Sequence, residues 1–221
     1  MTDRSRRDFL TSVGAMAGAA AIPSLAAAAP PDESPPPMAA QETWDMSWLD
    51  NIQGKHKQVF DIANWDTGLT TVRNWYDAHE KVYQLRHPQL AAVVGIATQA
   101  FPINASDAMW TRFPIGDEWK VIDPATGKPA LRNIFIDKRE GPPPIAEASV
   151  KLLQARGAMF WQCNNALNKV AGILATRVNR PQLEVYKELR AGLNPGVILV
   201  VAHTLALGMC QERGCAYEKV V

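Results

Sequence analysis

The chain has 221 residues, 47 % of them apolar, with 23 basic and 22 acidic side chains. A formal net charge of +1 supplies no electrostatic footprint for nucleic acid or an anionic membrane surface. Its four histidines form no HxH or HxxxH pair and its three cysteines no CxxC pair, so no metal signature is present.

The first feature in chain order is a targeting segment. Ser5-Arg6-Arg7-Asp8-Phe9-Leu10 precedes 19 uncharged residues, 11–29, rich in Ala and Gly. Adjacent arginines, then Phe-Leu and a weakly apolar stretch, have the pattern of a twin-arginine export signal. A spanning helix would be about as long, but Gly14, Gly18, Pro23 and the alanines leave this stretch less apolar than a stable membrane span. Small residues in the A-x-A arrangement put the expected cleavage at 26–29, and the expected location is the periplasm, with the export machinery as a partner. Pro30, Pro31, Pro35, Pro36 and Pro37 then mark an extended linker, assigned to residues 30–54. Setting aside Arg4, Arg6, Arg7, Asp3 and Asp8 leaves 20 basic and 20 acidic side chains in the 191 residues after Pro30. That length suffices for one domain with a sizeable core.

Within 55–221, residues 57–63 read as a strand ending at the turn Asn64-Trp65-Asp66-Thr67-Gly68. Apolar residues at three-to-four spacing predict a helix over 69–85, and the nearly all-apolar run 90–97 predicts a strand buried on both faces. A helix follows at 104–113, capped by Asn104 or Ser106. Residues 114–144 hold two proline clusters and form a long insertion. Beyond it the pattern is helix 145–156, strand 158–163, helices 164–177 and 181–193, strand 196–202, helix 204–213 and strand 215–220. Seven tryptophans, all past the signal segment, belong to a core or a subunit interface on this reading.

Alternating strands and helices predict an α/β fold, with a doubly wound, mostly parallel five-stranded sheet and helices on both faces. Sites in such sheets lie at the carboxyl ends of the strands, which gathers Asn64, Asp66, Cys163, Asn164 and His203. Asn64, Asp66 and Asn164 are candidate ligand-binding residues, although a helix cap accounts equally well for Asp66. No glycine-rich phosphate loop follows any strand, and no G-x-S-x-G is present.

Residues 155–167, Ala155-Arg156-Gly157-Ala158-Met159-Phe160-Trp161-Gln162-Cys163-Asn164-Asn165-Ala166-Leu167, resemble the third strand and following turn of DsrE/DsrF-like proteins. In that family a glycine ends a helix, a strand follows, and a cysteine stands at its end. Residues 195–202 and 207–217 resemble the family's closing strand, helix and strand. The resemblance spans roughly 55–221 and implies a small α/β domain that forms trimeric or hexameric homo-oligomers. It also implies that the strand-end cysteine, here Cys163, carries a persulfide and passes sulfur between partners. The export signal and the insertion at 114–144 depart from the family pattern.

Cys163 sits between a strand and a helix, where backbone N–H groups favour a thiolate; the alternative is a buried cysteine acting as a small hydrophobe. His203 ends the fourth strand, either as a base toward Cys163 or as a histidine satisfied by a backbone carbonyl. Cys210 and Cys215 either form a disulfide, which an exported protein permits, or pack separately in the core. The expected function is sulfur handling through Cys163 by an exported protein. The alternative is a non-catalytic ligand-binding or assembly protein of the same fold, and no particular cofactor follows from either.

Overall fold

The computed structural model describes residues 43–137 and 147–221. The expected signal, the proline-rich part of the linker, residues 138–144 of the insertion and residues 145–146 of the helix expected at 145–156 lie outside the described residues.

In chain order, β1 (His56–Ile62) turns into α1 (Gly68–Tyr83), which buries Leu69, Val72 and Tyr76 along one stripe. β2 (Leu90–Ile96) is buried at all seven positions, as a central parallel strand must be. Short elements follow: α2 (Asp107–Arg112), then within the insertion α3 (Ile115–Glu118) and the hairpin β3 (Ile122–Asp123) with β4 (Lys128–Pro129). α4 (Val150–Ala155) follows, its start capped by Ser149 Oγ accepting the Leu152 N–H at 3.3 Å. Then come β5 (Met159–Cys163), α5 (Asn164–Val178), α6 (Gln182–Ala191), β6 (Val197–Val200), α7 (His203–Glu212) and β7 (Ala216–Val220).

The five long strands form one all-parallel sheet in the order β6-β5-β2-β1-β7. Steps from β1 to β2, β5 and β6 all run one way across the sheet, so right-handed crossovers place their helices on a single face. The final step returns to the far side of β1, and the same handedness sends α7 to the opposite face. Side-chain alternation along the strands agrees. Phe60, Ile62, Val94, Ile96 and Phe160 pack with Leu167, Val170 and Leu174 of α5 in the larger core. Val59, Ala91, Val93, Trp161 and Val200 pack with Ala206 and Cys210 of α7 in the smaller one. The fold is the doubly wound α/β sheet expected from the alternation.

Two segments differ from the expected layout. Residues 47–52, read as the end of the linker, are folded: the 3₁₀ turn Ser47–Asn51 buries Trp48 and Leu49, and Ile52 is buried beside them. These side chains close the smaller core, with the Trp48 ring 5.7 Å from that of Trp161. The described part of the insertion is likewise packed, burying Val121, Ala130 and Phe135 in the main core. Asn133 anchors it through its own backbone N–H to Asp107 Oδ1 (2.7 Å), Nδ2 to the Ile103 and Ala105 carbonyls, and Oδ1 from the Phe135 N–H. The helix expected at 104–113 starts late because Asn104 enters the core, where its Nδ2 donates to the Trp161 carbonyl at 3.1 Å.

Candidate functional site

Cys163 closes β5 and serves as the N-cap of α5 with extended backbone (φ −71°, ψ 125°). Its Sγ accepts the Ala166 N–H at 3.4 Å, the bond an N-cap side chain makes to the third residue of its helix. The same sulfur accepts the His203 N–H at 3.3 Å, from the first residue of α7. Two helix starts, from opposite faces of the sheet, therefore meet at one sulfur. The positive ends of both helix dipoles point at it.

The His203 side chain belongs to a second set of contacts. Its Nδ1 lies 3.2 Å from Trp161 Nε1, and its Nε2 lies 2.8 Å from Asp61 Oδ1. An indole N–H only donates, so Nδ1 accepts; the neutral ring then carries its proton on Nε2 and donates to Asp61. Asp61 Oδ2 accepts the Tyr217 hydroxyl at 2.8 Å. That hydrogen bond, with some burial and the Asp61 charge, raises Tyr217 above the ordinary tyrosine value.

Register explains why these groups meet. Asp61 pairs with Gly95 and Gly95 with Trp161, so the three share one row across β1, β2 and β5. Gly95 is the gap in that row: a Cβ there would lie 2.5 Å from Trp161 Cζ2 and 3.0 Å from His203 Cε1. Only a residue without a side chain lets both rings lie across the strand.

Cys163 and His203 are thus brought together, but through the His203 backbone N–H. Its two ring nitrogens instead contact Trp161 and Asp61, and neither contacts Cys163 or a backbone carbonyl. Asn164 is committed to a helix–helix contact, its Oδ1 accepting the Tyr186 hydroxyl at 2.7 Å. Asn64 and Asp66 are exposed at the end of β1, and Asp66 Oδ1 accepts the Thr67 N–H at 2.9 Å in a local turn. Between them Trp65 Nε1 donates to the Trp119 carbonyl (3.1 Å), and Trp119 Nε1 to the Thr98 carbonyl (3.2 Å). These indoles stitch loops together, and Trp110 and Trp119 are both buried.

All three cysteines are free thiols; Cys210 and Cys215 lie beside each other at the amino end of β7, away from Cys163. Asp61, Gly95, Trp161 and Tyr217 escaped the reading of the sequence. The available signal was a carboxylate and a glycine inside otherwise apolar strand runs, Val59-Phe60-Asp61-Ile62 and Val93-Val94-Gly95-Ile96. Among the described residues no three or more His, Cys, Asp or Glu side chains gather as a metal site, and no helix is long and apolar enough to cross a membrane. No protein-family model and no curated protein matches the chain.

Proposed function

We propose that the protein handles sulfur through Cys163, as a persulfide or thiol carrier of DsrE-like type. We also infer that it is exported to the periplasm by the twin-arginine route and works as a homo-oligomer, a trimer or hexamer. The carrying observation is the convergence of the Ala166 and His203 N–H groups on Cys163 Sγ. Charge on the attacking sulfur, and later on the outer sulfur of a bound persulfide, is met there by fixed donors. Cys163 is only 4 % exposed, which suits small sulfur species such as hydropolysulfides or low-molecular-weight persulfides as donors. In the loading step the Cys163 thiolate attacks the outer sulfur of R–S–SH. A new S–S bond forms at Cys163, the donor S–S bond breaks, and R–S⁻ leaves.

The test is intact-mass analysis of the folded protein after exposure to inorganic polysulfide, with the adduct located by peptide fragmentation. The expected result is a gain of about 32 Da on Cys163, absent in Cys163→Ser. Alkylation of the folded protein should label Cys163 and compete with that adduct. Labelling of Cys163 only after unfolding, or equal adduct in Cys163→Ser, would overturn the proposal in favour of a non-catalytic binding or assembly role.

A further inference from the structure

α7 ends in a turn that forces residue 210 against residue 215. Gly214 takes the left-handed conformation (φ +81°), its N–H donates to the Gln211 carbonyl at 2.8 Å, and the Cys215 N–H donates to the Cys210 carbonyl at 3.1 Å. In this helix stop the residue two past the cap packs on the residue three before it, a contact usually made by apolar side chains. Here both positions are cysteine. Cys210 is fully buried and Cys215 is 6 % exposed, immediately before the edge strand β7. The two thiols are close enough for each to act on the other's acidity. Lys57 stands at the same turn, its Nζ 3.6 Å from where a Cβ on Gly214 would lie. Interaction with the Cys210 thiol, then the Lys57 charge, lowers the Cys215 thiol below its ordinary value, against burial. The same interaction, with burial, raises Cys210.

We propose that Cys215 and Cys210 form a thiol–disulfide exchange site, with Cys215 attacking and Cys210 resolving, and with small or protein-borne disulfides as substrate. The Cys215 thiolate attacks one sulfur of R–S–S–R. A bond forms between those two sulfurs, the external S–S bond breaks, and the departing R–S⁻ takes the Cys210 proton. Cys210 then attacks Cys215 Sγ, closes the Cys210–Cys215 disulfide and expels the second R–S⁻, which is protonated by solvent. Two protein thiols are oxidised and one external disulfide is reduced to two thiols. The helix stop already holds the two residues against each other, with the Cys215 N–H on the Cys210 carbonyl, so closure calls on side-chain rotation. The site lies at the opposite end of the sheet from Cys163 and does not depend on the sulfur-carrier reading.

The experiment uses the full chain carrying Cys163→Ser, equilibrated with oxidised and reduced glutathione and read by intact mass after acid quench. The expected result is a reversible loss of about 2 Da as the oxidised fraction rises, with no lasting glutathione adduct. Adding Cys210→Ser should trap a mixed disulfide on Cys215, and adding Cys215→Ser should leave the protein unmodified. An unchanged mass in oxidised glutathione, a persistent adduct while both cysteines are present, or an adduct on Cys210 would overturn the proposal. Because Cys163 is absent throughout, the outcome is separate from that of the polysulfide test.

Discussion

Replacing Gly95 by alanine adds one methyl group where the row across the sheet has no room. The new Cβ would lie 2.5 Å and 2.8 Å from two ring carbons of Trp161 and 3.0 Å from His203 Cε1. Carbon atoms in comfortable contact sit about 3.5–4.0 Å apart. Neither ring can yield cheaply. Trp161 is fully buried and donates to His203, and His203 is bonded to Asp61. Overpacking of this kind costs about 1–3 kcal/mol. At about 2–4 °C per kcal/mol for a chain of this size, the melting temperature should fall by about 2–12 °C. Gly208 is the matched control: it lies inside α7 and a Cβ there meets nothing within 4 Å. Its replacement by alanine should gain about 0.5–1 kcal/mol by restricting the unfolded chain and favouring the helix. The two variants, followed by circular dichroism on heating, should therefore move in opposite directions. A Gly95→Ala protein as stable as the parent would refute the reasoning, because the Trp161–His203–Asp61 row would then have slack.

Tyr217 should ionise above the ordinary tyrosine range, and Asp61→Asn should bring it back down, as read by tyrosinate absorbance against a Tyr217→Phe reference. A group whose folded value is raised contributes stability below its unfolded value and loses it as pH rises through the folded one. The parent should accordingly lose more stability than Tyr217→Phe in the alkaline range, and parallel curves would exclude the Asp61 bond. Glu188 is held down to about 2 by hydrogen bonds from Arg180 and then Arg112. Its contribution is present above the unfolded carboxylate value and is lost as pH falls through about 2. Glu188→Gln should thus lower the urea midpoint at neutral pH, with the gap to the parent closing in acid. A gap that stays constant with pH would remove the charge from the explanation.

The strands were legible because each is a short apolar run between turn residues, and parallel burial follows from their composition. Their ends agree with the expected ones to within a residue or two. The helix at 104–113 was read too long, since the destination of Asn104, the Trp161 carbonyl, lies 57 residues along the chain. Residues 47–52 resembled the end of a linker because a single 3₁₀ turn carries no periodicity, yet Trp48 and Leu49 complete a core made by distant strands. The ring contacts of His203 were not legible for a related reason. Its ring partners, Asp61 and Trp161, are 142 and 42 residues away, and only the register of β1, β2 and β5 sets them side by side.

Local pattern by itself determined the α/β alternation, the parallel sheet with helices on both faces, and the position of Cys163 between a strand and a helix. Those properties depend on residues within one turn or one strand of each other. Tertiary structure decided the strand order, the meeting of α5 and α7 at Cys163 Sγ and the Asp61–His203–Trp161 row. All three arise from crossovers between distant segments, which hydrophobic periodicity does not encode. The contact between Cys210 and Cys215 lies between these cases. Its spacing and Gly214 were visible in the chain, but whether the two thiols pointed together depended on the left-handed stop at the end of α7.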